Sequence, residues 1–307
     1  MTNADFDFRP LWAERFNFNA HSPSGANRPN DKEFFEKVIA RPAKLYDFAG
    51  CAATAGRVCE EYAKNIVINE MPVGEAYSHC VAKFDEHRML EHQADDAIKH
   101  SMIRDGLYTV PKSDPENTGT VLELTARHTA DALREATHTA NQITDGRWVS
   151  VHLENTDLPH IGEIDVEAMG GVVEIKTRWP TLKADSKRGF TVRSLPARPD
   201  AAHVQQVALY WQWLRQKAEN VPVRLLYANC IGYRVFSSED CPDLAPARLN
   251  EALENLARVA RTRENLMKAA QTVPELLALV APDFSHWMWR NVPPAYRAAA
   301  EQAWSEA

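Results

Sequence analysis

The stretch from His160 to Trp179, HIGEIDVEAMGGVVEIKTRW, decides the fold. Polar and apolar residues alternate along it, which predicts two β-strands, because residues two apart in a strand share a face. Gly170-Gly171 between the two runs provides the positive φ angles of a tight hairpin turn. We therefore expect a hairpin with an apolar back, whose front gathers Glu163, Asp165, Glu167, Glu174 and Lys176.

The carboxylates on the front of this hairpin have two interpretations. Carboxylates at this spacing repel one another unless a cation neutralises them. Their hard oxygen atoms suit Mg²⁺ or Mn²⁺, so a metal site is one interpretation. A two-stranded hairpin with a hydrated, charged face is also common, and Glu-x-Lys alone does not separate the two.

A second feature lies downstream, from Asp200 to Lys217, DAAHVQQVALYWQWLRQK. Its apolar residues recur at helical spacing, which predicts an amphipathic helix. Gln206 and Tyr210 are four residues apart and therefore lie on one side of that helix. Ordinary core packing is the other interpretation, in which Tyr210 is a residue at the edge of the core.

The order of these motifs, Asp, then Glu-x-Lys, then a helix with Gln-x-x-x-Tyr, resembles the PD-(D/E)XK nuclease superfamily, specifically its RecB-like and lambda-exonuclease-like branch. Upstream, Gly56 and Glu60 in AGRVCEEYA match a glycine that the family follows, four residues later, with His or Glu. Glu60 stands where the RecB-type histidine would be, which is more similar to the viral recombination exonucleases. The match runs from about Gly56 to Phe236. No Pro-Asp precedes the hairpin, and Asp165 lies in Gly-Glu-Ile-Asp instead, close to the Gly-x-x-Asp form.

The resemblance implies an α/β fold with a restriction-endonuclease-like core. In that core a central mixed β-sheet is flanked by helices, and this chain would add helical segments at its N- and C-terminal ends. We expect one domain over residues 1–307, with the motif-bearing core at about 52–240 and a helical C-terminal cap at about 245–307.

The resemblance also implies a metal centre. Asp165 and Glu174 would bind one or two Mg²⁺ or Mn²⁺ ions directly. Glu60 would be a third ligand, either directly or through water, and the backbone carbonyl of Ile175 would be another.

By the same resemblance, Asp165, Glu174 and Lys176 are the catalytic residues. Lys176 would orient the attacking water and stabilise the transition state electrostatically. Gln206 and Tyr210 would position the DNA strand near its scissile phosphate without reading its bases.

A basic segment, from Thr177 to Pro199, joins the Glu-x-Lys strand to the Gln-x-x-x-Tyr helix. It carries six basic residues against the single acid Asp185, and both its ends must lie beside the proposed site. We favour a role in binding DNA phosphates, with a solvated loop as the alternative. The candidate DNA-binding residues in this segment are Arg178, Lys187, Arg188 and Arg193.

Composition limits the remaining possibilities. A net charge of −7 excludes a chain coated in basic residues but allows a local basic segment. The five cysteines form no Cys-x-x-Cys pair, so we expect no zinc site. The iron–sulfur cluster of some proteins in the resembled family needs three cysteines close together near the C-terminus, and only Cys230 and Cys241 lie late in this chain, so we expect no such cluster. No apolar run is long enough to span a bilayer, and the N-terminus lacks the pattern of a secretory signal. These observations predict a cytoplasmic protein with no membrane partner, in the host-cell cytoplasm if the source is viral.

Taken together, these features predict an Mg²⁺- or Mn²⁺-dependent deoxyribonuclease. The most specific prediction is an exonuclease that acts at DNA ends in recombination, repair or viral genome processing, as in a bacteriophage. A non-catalytic nucleic-acid-binding protein on the same fold and a structure-specific endonuclease are the alternatives. DNA is the predicted partner, and a single-strand annealing or recombination protein and a second copy of the chain are further candidates.

Overall fold

The structure is a computed structural model that describes residues 10–43, 45, 51–93, 115–182, 190–290 and 292–307. Its helices are α1 (Leu11–Arg15), α2 (Pro23–Ala26), α3 (Asn30–Phe34), α4 (Cys51–Val67), α5 (Val73–Gln93), α6 (Pro115–Thr137), α7 (Ala201–Leu214), α8 (Pro246–Ala269), α9 (Val273–Ala278), α10 (Trp287–Arg290) and α11 (Pro294–Ser305). Its strands are β1 (Ile143–Asp145), β2 (Trp148–Val151), β3 (His160–Glu163), β4 (Val166–Ala168), β5 (Gly171–Thr177), β6 (Thr181–Leu182), β7 (Phe190–Thr191), β8 (Val223–Ala228) and β9 (Tyr233–Ser237).

The central sheet of the described residues has the strand order β1-β4-β5-β8-β9. Strand β5 pairs antiparallel with β4 and parallel with β8, so the sheet is mixed. Both β5 and β8 are buried along almost their whole length, which is expected of strands that are covered on both faces. The predicted Glu-x-Lys strand is therefore the middle strand of the sheet.

Helices cover both faces of this sheet. Apolar side chains of β4 and β5, among them Val166, Val173 and Ile175, pack into one buried cluster with α4, α5 and α6. Helix α7 contacts β5 and β8 on the face that carries Glu174. The predicted α/β class is confirmed, with a central mixed sheet between helices and helical regions near both ends of the chain.

The hairpin differs from its predicted form in two ways. The turn lies at Met169-Gly170, one residue earlier than predicted, and these residues have φ angles of 56° and 72°. A two-residue turn of this kind needs positive φ at both central positions, and the pairing of Ala168 with Gly171 makes Gly171 a strand residue. A Cβ at Gly171 would lie 2.3 Å from the carbonyl oxygen of Pro222, so the sheet requires glycine there.

The first predicted strand is also interrupted. Strand β3 pairs with β2 in a separate two-stranded sheet, whereas β4 belongs to the central sheet. Asp165 lies between β3 and β4 and is not part of either strand.

The chain forms two compact units. One comprises residues 49–147 and 163–249 and contains the central sheet, and the other comprises residues 1–48, 148–162 and 250–307. The single domain expected from the sequence stays a prediction. No helix in the described ranges is long and apolar enough to cross a lipid bilayer.

The other unit is mostly helical and has its own buried polar centre. The Glu264 carboxylate accepts hydrogen bonds from the backbone N–H groups of Asp157 and Leu158, and it lies 3.1 Å from Nε2 of His21. Burial of a carboxylate is costly unless its oxygen atoms are paired, and this carboxylate is paired on several sides. Two aromatic-rich clusters surround this region, one around Phe16, Phe18 and Phe34, the other around Phe35, Trp289 and Tyr296.

Gly146 fixes the path of the chain where β3 gives way to β4. Its N–H donates to the carbonyl of Asp165 at 3.0 Å. A Cβ on Gly146 would lie 1.5 Å from the carbonyl oxygen of Ile164, which is backbone and cannot rotate away. Glycine is therefore required here because two backbone segments approach each other closely.

We expect Gly146→Ala to lower the free energy of unfolding by roughly 3 kcal/mol, because the Cβ forces the backbone at Ile164 to move. Gly119→Ala is the matched control: Gly119 lies in α6 with nothing within 4 Å of the added Cβ. That control should raise the stability by about 0.5–1 kcal/mol through helix propensity. Urea unfolding of both variants measures the difference, and equal stabilities would contradict the close approach.

Candidate active site

Asp165 takes the place of a missing strand partner. The N–H of Ile164 donates to the carbonyl of Arg147 at 3.0 Å, so the segment before β4 turns away from β5 and leaves a gap beside Ile175. The Oδ2 atom of Asp165 then accepts the N–H of Ile175 at 2.7 Å. The N–H and C=O of one strand residue point to the same edge, so the Ile175 carbonyl also faces this gap. The gap therefore presents a carboxylate and a carbonyl side by side.

Glu174 lies on the same face of the sheet as Asp165. The pairing of Val166 with Val173 brings these two carboxyl groups next to each other across the gap. The Glu174 side chain is 0% exposed, and its Oε1 contacts Nζ of Lys176. Its Oε2 is buried without a hydrogen-bond partner among the residues that the structure describes. A buried carboxylate oxygen of this kind is short of a positively charged or donor group.

The pKa values of the site also indicate that it has too little positive charge for its carboxylates. Burial raises the pKa of Asp165 well above its ordinary value, and repulsion from Glu174 and Glu60 raises it further. Burial likewise raises the pKa of Glu174, despite the opposing effect of Lys176. For Lys176 burial lowers the pKa, but attraction to Glu174 and Asp165 outweighs it and the pKa is raised. One ammonium group thus faces an excess of carboxylates.

Two other carboxylates of the predicted hairpin front stand apart from this group. Glu167 forms a bidentate ion pair with Arg147, and one of its two contacts measures 2.6 Å. Glu163 is exposed to solvent. The structure therefore brings together Asp165, Glu174 and Lys176 out of the five charged residues.

Glu60 lies on α4 and has a cationic partner of its own. Its Oε1 is 2.7 Å from Nζ of Lys64, which also lies 3.0 Å from Oδ1 of Asp145. Within the described ranges, no three His, Cys, Asp or Glu side chains are gathered closely enough to hold a metal ion. To complete a three-carboxylate site, Glu60 would have to turn away from Lys64. Its role as a ligand stays a prediction.

Gly56 brings α4 close to the end of β5. A Cβ at this position would lie 3.1 Å from Oγ1 of Thr177, a tight contact. The glycine lets the helix that carries Glu60 approach the strand that carries Glu174. The predicted Gly56–Glu60 spacing thus has a packing reason as well as a proposed functional one.

Helix α7 begins at a capped N-terminus and carries the Gln-x-x-x-Tyr pair. The Asp200 side chain accepts the N–H of Ala202 at 3.0 Å, as in a typical N-cap. Nε2 of Gln206 donates to the hydroxyl of Tyr210 at 2.9 Å, so the two side chains are stacked as their spacing predicts. Burial, and then the charge of Glu174, raise the pKa of Tyr210. The Tyr210 hydroxyl therefore stays protonated close to the carboxylates.

The four predicted DNA-binding residues of the basic segment differ in exposure and in hydrogen bonding. Arg178 is half-buried, and its guanidinium donates to the Ser194 carbonyl at 3.3 Å. Arg193 is exposed, and its carbonyl accepts a hydrogen bond from Asn229 at 2.8 Å. Lys187 and Arg188 lie outside the described residues. The basic segment also contains Arg198, which is held in a bidentate pair by Asp243.

The sequence interpretation left out His203, which lies on α7. It precedes Gln206 by three residues and Tyr210 by seven, so the three share one helix face. Its Nδ1 is 2.8 Å from the hydroxyl of Tyr227 on β8. The i, i+3, i+7 spacing would have identified it.

The residues present fit a hard divalent cation. Asp165, Glu174 and the Ile175 carbonyl offer oxygen atoms around one gap, and the orphaned Oε2 of Glu174 would gain a partner. A cation would also offset the burial, and then the carboxylate repulsion, that raise both carboxyl pKa values. Oxygen ligands of this type favour Mg²⁺ or Mn²⁺ over softer metals.

We expect Asp165→Asn to raise the thermal stability of the protein in EDTA, and the gain to increase with pH. The raised pKa means that the folded protein binds this proton more tightly than the unfolded chain does. The resulting stabilisation is complete below the unfolded pKa of about 4 and is lost as the pH rises through the folded pKa. Scanning calorimetry at several pH values measures the difference, and each kcal/mol corresponds to roughly 2–4 °C.

Glu163→Gln is the control for that series, since Glu163 is an exposed carboxylate two residues away. Its difference from the wild type should change little with pH. A gain for Asp165→Asn that is constant or shrinks with rising pH would contradict the electrostatic account.

Comparisons with known proteins add little to this geometry. No family model matches the chain, and no curated protein matches it. The chain is similar to a solved structure, the crystal structure at 2.19 Å of a "Putative exonuclease" from Eubacterium rectale. The two are 14% identical with a TM-score of 0.48, over 94% of this chain and 92% of that chain.

Proposed function

We propose that the protein is a divalent-cation-dependent deoxyribonuclease. One observation carries the proposal: Asp165 is held by the N–H of Ile175, beside a buried Glu174 with an unpartnered oxygen and with Lys176 in contact. This combination of clustered carboxylates and one ammonium suits cleavage of a phosphodiester bond. The resemblance in motif order to the PD-(D/E)XK nucleases supports the same reaction.

Asp165, Glu174 and the Ile175 carbonyl would hold Mg²⁺ or Mn²⁺, as one or two ions, and Glu60 would contribute directly or through water. When bound, the cation supplies positive charge that activates water and offsets the charge on the phosphate. The protein contributes the low-dielectric surroundings, since Glu174 is fully buried. Charge interactions inside such a site are stronger than in water.

Lys176 acts on the reacting phosphate in this proposal. Its raised pKa keeps the ammonium charged at neutral pH, so it can stabilise negative charge that develops in the transition state. It can also orient the attacking water through its N–H donors. Contact with Glu174 limits the positions that the flexible side chain can take.

Gln206 and Tyr210 would hold the DNA strand beside these groups. The Tyr210 hydroxyl accepts from Gln206, which leaves its own proton to be donated. The Tyr210 side chain is only 1% exposed, so a phosphate oxygen would have to reach it inside the site. Arg178, Lys187, Arg188 and Arg193 would contact further phosphates along the basic segment. Such contacts position the strand and carry no base specificity.

The finer proposal is an exonuclease that acts at DNA ends during recombination, repair or viral genome processing, in the cytoplasm. An annealing or recombination protein and a second copy of the chain are proposed partners. The main alternative is a protein that binds nucleic acid without cutting it. Contact between Lys176 and Glu174 supports catalysis, because it holds an ammonium group beside the carboxylates, where it can stabilise charge that develops on a phosphate.

One experiment separates these functions. End-labelled linear DNA and covalently closed circular DNA are incubated with the protein in Mg²⁺, Mn²⁺ or EDTA. Loss of linear DNA alone indicates an exonuclease, and loss of both indicates an endonuclease. Binding without cleavage under every condition indicates the non-catalytic alternative and would overturn the proposed reaction.

We expect Asp165→Ala and Glu174→Ala each to abolish cleavage and weaken cation binding, because each removes a proposed ligand. Lys176→Ala should retain most of the cation affinity and lose turnover by roughly 100-fold or more, because its charge acts on the transition state. Calorimetric titration with Mn²⁺ and cleavage rates measure the two properties. Glu163→Ala is the carboxylate control. Normal cleavage by Asp165→Ala or Glu174→Ala would disprove the assignment of the site.

We expect the triple variant Lys187→Ala, Arg188→Ala, Arg193→Ala to bind all DNA sequences more weakly. The slope of log affinity against log salt should become shallower by roughly 1 for each phosphate that the variant no longer neutralises. The control removes an equal charge elsewhere, at the exposed ion-paired residues Lys83, Arg127 and Arg134. If both triple variants have the wild-type slope, the basic segment is a solvated loop.

A further inference from the structure

His203 lies at the edge of the carboxylate site but has no role in the proposed chemistry. It shares the face of α7 that carries Gln206 and Tyr210. Its hydrogen-bond partner, Tyr227, is paired with Lys176 across the parallel strands β5 and β8. The imidazole is therefore close to the proposed catalytic lysine, on the same face of the sheet.

A hydrogen-bond chain favours one tautomer of His203. The backbone N–H of Asp200 donates to the Tyr227 hydroxyl at 3.0 Å. That hydroxyl lies 2.8 Å from Nδ1 of His203, and its own proton is the one available for this bond. When the Tyr227 hydroxyl donates to Nδ1, the neutral ring carries its proton on Nε2.

The charge environment keeps the ring neutral. Burial lowers the pKa of His203 to about 4, and the nearby cations Lys176 and Arg178 contribute to the decrease, with Asp200 opposing them. Nε2 has no hydrogen-bond partner in the part of the chain that the structure describes. The ring is only partly buried. His203 thus offers an N–H donor that the protein itself does not use.

Arg178 lies against the same tyrosine. Its guanidinium carbon is 5.6 Å from the centre of the Tyr227 ring, and the His203 ring centre is 5.5 Å from it. A guanidinium and a neutral imidazole N–H therefore surround one aromatic side chain. Both are donors, so the natural ligand is an anion with several acceptor oxygens.

We propose that His203 and Arg178 form a second phosphate subsite, which binds the DNA phosphate next to the one that is cut. The inference rests on the proposed function, because it names the part of the substrate that lies beside Lys176. His203 donates from Nε2 to a non-bridging oxygen, and Arg178 supplies the positive charge. Tyr227 and the backbone of Asp200 are positioning groups that hold the imidazole in the required tautomer.

The test compares DNA affinities and needs no cleavage. The probes are short, labelled single-stranded oligonucleotides, each with one anionic phosphate replaced by a neutral methylphosphonate at a different position. Binding is measured by fluorescence anisotropy in the Asp165→Asn background, with and without His203→Ala. With His203 present, the methylphosphonate at one position should weaken binding roughly tenfold, and with His203→Ala that penalty should disappear. Arg178→Ala should reduce the penalty at the same position.

The controls separate recognition from folding. His128→Ala removes another partly buried histidine, whose Nδ1 lies 2.8 Å from the Asn229 carbonyl, and should leave every penalty unchanged. His203→Gln retains a side-chain N–H donor and should restore part of the penalty. If His203 is only structural, its loss weakens all probes equally and the pattern of penalties stays as before, which overturns the subsite.

The outcomes also distinguish failure of the phosphate subsite from failure of the proposed nuclease activity. A protein that cleaves no DNA but keeps the position-specific penalty would have the subsite without the nuclease activity. A protein that cleaves DNA and shows identical penalties with and without His203 would be a nuclease without this subsite. Absence of any binding to the oligonucleotides would also reject the subsite.

Discussion

The hydrogen bond from the Ile175 N–H to Asp165 Oδ2 is the contact on which the rest of the site depends. Strand β5 is buried in the middle of the sheet, and a buried N–H without a partner is costly. Just before β4 begins, a carboxylate side chain accepts this N–H in place of a backbone carbonyl. The side chain that accepts this N–H is acidic and lies directly beside Glu174, so one residue both completes the backbone hydrogen bonding and adds negative charge to the site.

This arrangement carries a stability cost that the protein tolerates. The fully buried Glu174 lies beside the half-buried Asp165, and Lys176 offsets only part of the repulsion that raises the pKa of Asp165. A core formed for stability alone would place apolar residues here, because buried ion pairs are often no better than hydrophobic packing. Destabilising polar groups are usually found where function needs them. By contrast, the nearby carboxylate of Glu60 is paired with a cation of its own, Lys64.

Sequence periodicity predicted the strand with Glu174 and Lys176 and the helix with Gln206 and Tyr210, because these depend on local spacing. The α/β class came from the resemblance in motif order. Periodicity failed at Asp165, where the alternation continues through the sequence but the backbone leaves the sheet. The close approach of Gly146 to this segment is a tertiary contact that local periodicity does not predict. The sequence prediction also misplaced the turn by one residue, because two adjacent glycines do not reveal which of them has positive φ. His203 could have been found from its helical spacing, whereas its bond to Tyr227 joins distant segments and leaves no local signal.

The turn at Met169-Gly170 lies at the opposite end of β5 from Lys176, and Met169 is 47% exposed there. Both residues already have left-handed backbone angles, and a Cβ on Gly170 would meet nothing within 4 Å. This exposed corner is therefore a practical point of attachment. A thiol introduced at Met169 could carry a fluorophore or a surface tether while the gap between Asp165 and Glu174 stays unmodified, so the molecule could be immobilised or followed singly with its charged face open to solution.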